Sequence, residues 1–303
     1  MNRYRLYIIC CIAFNLAVKG QIIFLNNPSN HIVAFNPAFS AIKPGNNNYA
    51  ARQLCTSSRI SKEQTDILTT AQVFLRNTNI GLSADYGLVS QNKSLLQKGG
   101  IGLSYHLLFF DAISTGWGIG VSYTDLHSSA PTLLNMYGEK KDLYVQNSKY
   151  AALNFGWMFN YENMIGGLSI QPKQTVWFNS AQKTSFYTTA TAYFKYRYAL
   201  TRNINASLWY TGNFNTVDNL IASDSATVSK KIQSHALNIH VSGKKGLIGG
   251  IGGRVANFNY ASMILKAGYN FRYIQLLYGI EPYWLHAKYS TLIHEISITL
   301  KFK

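Results

Sequence analysis

The sequence is short of charged residues and lacks long internal apolar runs. Asp, Glu, Lys and Arg make up 13% of its 303 residues, about half of the share usual in soluble domains. No stretch beyond the N-terminus approaches the roughly 20 continuous apolar residues of a membrane-spanning helix, and the mean hydropathy is −0.04. The low charge argues against an ordinary soluble domain, and the missing runs argue against a helical membrane protein.

Cysteine is also scarce, which limits the redox chemistry that the chain can perform. Of the three cysteines, Cys10 and Cys11 lie in a 13-residue apolar run that follows the basic start MNRYR. Residues 1–20 therefore read as a secretory signal peptide that is cleaved near Gly20. The mature chain would keep only Cys55, so we expect no internal disulfide and assign this thiol no redox role.

Acidic residues are the scarcer of the two charges. The formal net charge is +16, or about +13 without the signal peptide. The cations are scattered along the chain rather than clustered, which argues against nucleic acid as a partner. Contact with anionic outer-membrane lipid or with acidic partner surfaces fits this distribution better.

Aromatic residues and strict alternation are what the sequence has in abundance. Aromatics reach 14%, with 21 Tyr, as expected where aromatic girdles line both membrane interfaces. In LIHEISITLKFK (292–303) apolar and polar residues alternate with the period of a β-strand. After residue 46 we predict fourteen such strands, at 47–57, 68–77, 79–90, 98–110, 114–126, 149–160, 163–172, 184–198, 203–213, 231–242, 246–256, 261–272, 274–285 and 292–302.

The polar faces of these strands distinguish a barrel from a soluble sandwich. They carry mostly Gly, Ser, Thr and Asn, whereas the exposed face of a sandwich usually carries charge. We therefore predict an all-β fold, a transmembrane antiparallel up-and-down β-barrel of about 14 strands over residues 47–303. Short turns at one end and long loops at the other are typical of such barrels, and we expect the long loops at 58–67, 127–148, 173–183 and 214–230.

Residues 21–46 precede the first predicted strand and differ from the rest. The segment is too polar and too rich in Pro for a strand, yet too apolar for a free tail. Asn36-Pro37 and Lys43-Pro44 favour turns. We predict a plug or lid in the barrel mouth or lumen, with Asn36, Pro37 and Phe39 as candidate residues for docking it or a partner, and a flexible arm as the alternative.

Phasing the strands with their apolar faces toward lipid places several charges in the lumen. A lipid-facing Lys or Arg at mid-bilayer costs about 2–4 kcal/mol, so the phase is well defined. The predicted lumen charges are Asp85, Lys195, Arg197, Arg254, Lys266, Arg272, Glu281 and Glu295. From Arg254, Lys266, Glu281 and Glu295 we predict an ion-pair network that braces the barrel, with a polar channel as the alternative.

Two histidine pairs invite a chemical interpretation. His294 and Glu295 are adjacent on a strand and point to opposite faces, so they cannot chelate one ion. His240 and Ser242 share the inward face, and an outer-membrane hydrolase is the corresponding hypothesis. The glycines of GLIGGIGG (246–253) precede no helix, so they do not make a dinucleotide site. We expect no metal, no cofactor and no enzymatic activity.

Several motifs resemble a known family. NPAFSA (36–41) resembles the Asn-Pro-Ala-Tyr-Ala-Gly element near the mature N-terminus of the PorP/SprF family of type IX secretion membrane proteins. The order of the later elements is similar to that family too, although its Arg-x-Gln-Trp element appears only as Arg52-Gln53-Leu54 and Ile293 replaces a Ser. These elements are GGIGLSYH (99–106), NMIGGLSI (163–170), YNFRYIQLLYGIEPYW (269–284) and LIHEISITLKF (292–302).

The resemblance implies a function that composition alone does not. It implies a non-enzymatic outer-membrane component of type IX secretion or gliding motility in Bacteroidetes-type bacteria. Its expected partners are periplasmic secretion-ring or peptidoglycan-linking lipoproteins and exported surface proteins. The alternative is an outer-membrane transporter or porin for a small or hydrophobic solute.

Overall fold

The computed structural model describes fourteen stretches of the chain. They are residues 31–40, 52–61, 64–75, 78–91, 94–109, 113–128, 133–134, 140–141, 148–172, 175–178, 187–219, 228–256, 260–282 and 292–302. No helix within these stretches is long and apolar enough to cross a membrane. The predicted signal peptide and most of the 127–148 loop lie outside them.

Strands make up nearly all of the described chain. Two short 3-10 helices, Ile32–Ala34 and Pro37–Phe39, precede them. The strands are β1 (Arg52–Ile60), β2 (Gln64–Leu75), β3 (Ile80–Gln91), β4 (Ser94–Phe109), β5 (Ile113–Ser128), β6 (Leu133–Leu134), β7 (Lys140–Lys141), β8 (Ser148–Tyr161), β9 (Met164–Gln171), β10 (Thr175–Phe178), β11 (Tyr187–Thr201), β12 (Ile204–Asn219), β13 (Val228–Gly243), β14 (Leu247–Ala256), β15 (Tyr260–Asn270), β16 (Ile274–Glu281) and β17 (Ile293–Phe302).

Fourteen of these strands form one closed antiparallel ring. The ring follows chain order through β1–β5, β8, β9 and β11–β17. It closes where β17 pairs with β1, with Phe302 opposite Arg52 and His294 opposite Ile60. The short β10 continues the pairing of β9 along β8, while β6 and β7 form a separate ladder. The predicted all-β, up-and-down, fourteen-stranded barrel is confirmed.

Alternation along each strand separates an apolar outer face from a polar inner face. On β5, Trp117 and Ile119 are exposed on the outside, while Ser122 and Thr124 are buried inside. Because successive side chains of a strand point to opposite faces, one phase holds along each strand. An exposed apolar band all around the ring is the surface that a lipid bilayer covers.

The two ends of the barrel differ in their connections. The start of β1 and the end of β17 lie at the same end of the barrel. The tight turns at that end are at 162–163, 202–203, 244–246 and 271–273. Such an arrangement of short turns is typical of the periplasmic end. The predicted long loops at 58–67 and 214–230 are wrong, because β1, β2, β12 and β13 extend into both ranges. The reason is that polar residues on the inner face of a strand give the same local pattern as a polar loop.

Residues 31–40 lie inside the ring, against the inner faces of the strands. His31, Asn36 and Phe39 are at most 2% exposed. The segment contacts Gly81 of β3, Gly118 of β5 and Gly167 of β9, each a few residues from a strand end at the turn end of the barrel. We call residues 31–40 the inner segment. It belongs to the range predicted as a plug or lid, and its role in closing the barrel stays a prediction.

Candidate functional site: the inner segment and the barrel lumen

Asn36 fixes the middle of the inner segment to the wall. Its side-chain oxygen accepts a hydrogen bond from the backbone N–H of Ala38 at 2.9 Å, which caps the second 3-10 helix. Its amide nitrogen donates to the carbonyl oxygens of Trp157 at 3.1 Å and Leu168 at 3.0 Å. One buried side chain therefore orders the segment and joins it to both β8 and β9. Pro37 follows at the first helical position, which suits its fixed φ.

His31 holds the start of the segment against the seam where β1, β2 and β17 meet. Its ring nitrogens lie 2.7 Å from Ser57 Oγ and 3.1 Å from Thr70 Oγ1. Ser57 Oγ is in turn 2.6 Å from Ser297 Oγ. Burial lowers the pKa of His31 to about 3, so the imidazole is neutral at physiological pH.

Ser40 holds the other end of the segment. Its hydroxyl lies 2.9 Å from Ser83 Oγ, and its carbonyl oxygen lies 3.1 Å from Nε2 of His106. His106 Nε2 also lies 2.8 Å from Ser104 Oγ. The segment is thus tied to three parts of the wall: the β17–β1–β2 seam, the β8–β9 hairpin and the β3–β4 pair.

Glycine on the inner face gives the segment its space. A Cβ at Gly118 would collide with the backbone of Pro37 and Ala38, and one at Gly156 would collide with the side chain of Asn36. Phe39 packs against Gly167 and meets the Tyr193 ring edge-on, with centroids 5.5 Å apart. Small residues therefore occupy these inward positions for a steric reason, since bulkier side chains would displace the segment.

An ion-pair cluster occupies the opposite end of the lumen. Glu281, fully buried, accepts hydrogen bonds at 3.1 Å from Nη1 of Arg254 and at 2.5 Å from Ser262 Oγ. Arg59 lies 3.4 Å from Glu281 and 3.6 Å from Asp66. Two guanidinium groups on one buried carboxylate offset its desolvation. We call these five residues the Glu281 cluster.

The four residues of the predicted network are all buried on the inner face of the wall. Arg254 and Glu281 form the centre of the Glu281 cluster, and Lys266 Nζ lies 3.2 Å from His240 Nε2 and within electrostatic range of Glu295 and Glu281. Glu295 is buried and accepts a hydrogen bond from Ser297 at 3.3 Å. The placement of Arg272 in the lumen is wrong, since it lies exposed in the β15–β16 turn with its guanidinium 5.0 Å from the Tyr273 ring.

Sequence reasoning missed three members of the Glu281 cluster. Arg59 and Asp66 fell in a range predicted as loop, and Ser262 carried no charge to draw notice. The available signal was alternation: Cys55, Ser57 and Arg59 share one face of β1, and that face is buried. Extending the strand by two residues would have placed Arg59 in the lumen.

A second group of polar and aromatic side chains lines β11–β15. The Trp209 and His240 rings stack with centroids 4.1 Å apart and planes 20° apart. Lys195 Nζ lies over the Trp209 ring, 4.3 Å from its centroid. Gly250, opposite His240 in the β13–β14 register, leaves room for the imidazole. We call Lys195, Trp209, His240 and Lys266 the Lys195 group.

The geometry does not assemble the hydrolase arrangement. His240 is engaged with Lys266 and Trp209, and its ring therefore faces a cation rather than a carboxylate that would orient it as a base. His294 points outward, where its Nδ1 lies 2.6 Å from the Tyr278 hydroxyl. Among the described residues no three His, Cys, Asp or Glu side chains converge as a metal site would require.

Together the closed ring, the apolar outer band and the polar lumen define a class of protein. The fold is that of an outer-membrane β-barrel of Gram-negative bacteria. No family model matches the sequence, and no curated protein matches it. Solved structures do match, by fold.

The matching structures include channels of the outer membrane. The CymD monoaromatic hydrocarbon channel aligns over 93% of this chain and 94% of its own, at a TM-score of 0.55 and 9% identity. The Pseudomonas putida toluene transporter TodX aligns over 94% and 96%, at 0.53 and 9%. CdiB from Acinetobacter baumannii aligns over 83% of this chain but only 60% of its own length, at 0.51 and 9%. At such identities the likeness establishes the fold.

Proposed function

We propose that the protein is a non-enzymatic outer-membrane transport protein for a small solute, with the inner segment as a removable stopper. The observation that carries the proposal is how the segment is held. No backbone-to-backbone hydrogen bond joins residues 31–40 to a described strand. The segment contacts the described wall through packing and through hydrogen bonds that each involve a side chain, so the segment can leave without opening the strand ladder.

The fold comparisons support the same proposal. CymD and TodX are named as a hydrocarbon channel and a toluene transporter, and each covers nearly the whole of this chain. A barrel built like theirs, with a separable inner segment, suits passage of a solute better than permanent closure.

A substitution at Gly118 tests the stopper. In Gly118→Val the added side chain would collide with Pro37 and Ala38 and displace the segment, so we expect a larger single-channel conductance in planar bilayers than for the unaltered protein. Gly249→Val is the matched control, because an added Cβ there meets nothing within 4 Å. Equal conductance of all three proteins would refute the proposed transport role.

A second candidate is a component of type IX secretion or gliding motility, anchoring or assisting exported surface proteins. The observation that favours it is the position of the motif that resembles the PorP/SprF family. Asn36, Pro37 and Phe39 of that motif are among the residues that contact the inner faces of the strands. Purification from outer membranes in mild detergent, with mass spectrometry of bound proteins, tests this candidate. Stoichiometric periplasmic lipoproteins or surface proteins would support it, whereas a lone barrel would leave transport.

A further inference from the structure

Exposed cations follow one another along the turn end of the barrel, where the short turns lie. Because the ring runs from β11 through β17 to β1, the turns that carry them and the start of β1 are neighbours along its edge. The cations are Arg52 at the start of β1, Arg202 in the β11–β12 turn, Lys244 and Lys245 in the β13–β14 turn, and Arg272 in the β15–β16 turn. We call these five residues the basic arc.

The basic arc has no acidic residue to neutralise it within the described part of the chain. None of the ion pairs formed among the described residues includes a member of the arc. Glu162 is the one acidic residue in the described turns at this end, and it lies outside the arc, in the β8–β9 turn. Asp111 belongs to the β4–β5 connection, also outside the arc. The chain that flanks β1 and β17 adds no acid, since the sequence has none before Glu63 and ends on Lys303.

Backbone hydrogen bonds join the turns of the arc into one ordered edge. The N–H of Lys244 donates to the carbonyl oxygen of Asn203 at 2.7 Å, which joins the β11–β12 turn to the β13–β14 turn. The N–H of Asn270 donates to the carbonyl oxygen of Gly246 at 2.7 Å, which joins the β13–β14 turn to the end of β15. The cations are therefore carried on a fixed backbone, so a partner can bind them with little further ordering of the chain.

Aromatic side chains accompany the basic arc on the lipid-facing side of the wall. The guanidinium of Arg272 lies 5.0 Å from the ring of Tyr273, which is 45% exposed. Tyr198, Tyr269 and Phe302 are exposed on the outer faces of β11, β15 and β17, within a few residues of the same edge. Aromatic rings together with Lys and Arg side chains are typical of the level at which lipid headgroups lie.

We propose that the basic arc binds the phosphate groups of anionic phospholipids in the leaflet at the turn end. Neighbouring strands lie about 4.8 Å apart, so successive turns of the arc are about 10 Å apart along the edge. The electrostatic screening length at physiological salt is about 8 Å, so each turn attracts a headgroup of its own.

The shape of the arc favours lipid over an acidic protein as the partner. The cations are spread along the perimeter of the barrel, beside its apolar outer band, rather than gathered in one compact patch. A row of headgroups around the barrel matches this spread. The proposal does not depend on what passes through the lumen.

Native mass spectrometry of the protein purified from outer membranes in non-ionic detergent tests the arc. Phosphatidylglycerol is the probe, and phosphatidylcholine with the same acyl chains is the comparison lipid. A Lys or Arg near an anionic surface strengthens the attraction roughly fivefold. With one or two cations for each headgroup, we expect phosphatidylglycerol to bind about 5- to 25-fold tighter than phosphatidylcholine at low salt. The preference should shrink in about 0.5 M ammonium acetate, because screening grows with salt.

Two fourfold variants locate the lipid. The arc variant combines Arg202→Gln, Lys244→Gln, Lys245→Gln and Arg272→Gln. The control variant combines Lys140→Gln, Lys141→Gln, Lys173→Gln and Lys183→Gln, which belong to the β5–β8 and β9–β11 connections at the opposite end. Both variants lose four positive charges, so a difference between them is due to the position of the charges. We expect the arc variant to lose the preference for phosphatidylglycerol and the control variant to keep it.

Heat-modified mobility on gels verifies that each barrel is folded. If the arc variant does not fold, the double variant Lys244→Gln, Lys245→Gln is compared with Lys140→Gln, Lys141→Gln. We then expect phosphatidylglycerol affinity to fall about 5- to 25-fold in the first pair only.

The other outcomes overturn the proposal. Equal binding of the two lipids by the unaltered protein, or the same loss of preference in the arc and control variants, would refute the lipid site. Binding of a poly-glutamate peptide that the arc variant loses, without any preference between the lipids, would assign the arc to an acidic protein instead.

Discussion

At the scale of single residues, Glu281 is the side chain on which the lumen electrostatics depend most. Its two oxygens bind Arg254, Arg59 and Ser262, which come from three other strands. A buried charge that loses its partner pays the full desolvation cost, whereas an exposed pair is largely screened. The same rule separates this carboxylate from the pair that half-exposed Lys149 forms with Asp125 at 3.4 Å.

We therefore expect Glu281→Gln to lower the free energy of unfolding by about 3–5 kcal/mol, because the buried guanidinium groups of Arg254 and Arg59 both lose the charge of Glu281, while Arg59 keeps Asp66. Urea unfolding of the refolded barrel in lipid vesicles, followed by tryptophan fluorescence, measures this change. Lys149→Met is the control, with an expected loss of about 0–1 kcal/mol. A loss of similar size in both variants would show that burial does not set the energetics of the cluster.

At the scale of elements, the inner segment is a tertiary feature held by a few polar contacts. Ser169 Oγ donates to the carbonyl oxygen of Phe35 at 2.5 Å, which adds to the bonds of His31, Asn36 and Ser40. These contacts are made with several different strands, so the position of the segment depends on how those strands are placed relative to one another.

Asn36→Ala should loosen the segment while leaving the barrel intact. It removes a helix cap and two hydrogen bonds to carbonyl oxygens, and we expect a loss of about 1–3 kcal/mol in seating. Limited proteolysis within residues 31–40 of the folded barrel measures the seating. Asn203→Ala, in an exposed turn, is the control. Equal protease resistance of both variants would contradict the role of Asn36.

Seating of the segment should also weaken in acid. The seated His31 has a pKa of about 3, while a released imidazole has an ordinary value near 6.5. Between these values the released state binds the extra proton, so seating loses stability as pH falls below about 6.5. The groups that contact the ring, Ser57, Thr70 and Cys55, carry no charge, and the carboxylate of Glu295 lies farther away, beyond Ser297, which is 2.6 Å from Ser57.

Channel conductance recorded between pH 7 and pH 4 measures this effect. We expect channel openings to become more frequent on acidification, and we expect this increase to be smaller in His31→Gln. His106, which contacts Ser40, is present in both proteins, so the difference between the two pH profiles is due to His31. An unchanged pH profile in His31→Gln would assign the effect elsewhere.

At the scale of the whole molecule, the closed ring and its apolar outer band fix where charge is tolerated. Ile251 lies midway along β14 and is 51% exposed on the outer face, and Leu247 begins the same strand at the turn end. Both side chains face the same way, and they differ in depth along the barrel axis.

We expect Ile251→Lys to destabilise the barrel in phosphocholine vesicles by about 2–4 kcal/mol, and Leu247→Lys by about 0–1 kcal/mol, because the cost of a lipid-facing Lys depends on depth. Equilibrium unfolding in guanidinium measures both. The same cost at the two positions would mean that β14 is not oriented across a bilayer.

The sequence predicts which face of a strand most side chains occupy. It does not predict which inward side chains contact each other. Alternation placed Lys195, Arg254 and Glu281 inward, as the structure finds. It gave no sign that His240 would lie beside Lys266, within 3.2 Å of its ammonium nitrogen. It omitted His31 altogether, because a histidine in an irregular segment carries no periodic signal.

The sequence by itself determined the all-β class, the number of strands in the ring and the face of most side chains on the predicted strands. These are local properties, since alternation depends only on neighbouring residues of one strand. Only the tertiary structure decided which inward side chains meet and where residues 31–40 lie. Height along the barrel axis depends on the register of every strand pair and on the closure of β17 onto β1. No single stretch of sequence determines all of these registers. Contacts such as the one between Arg59 and Glu281 therefore form only when the ring is complete.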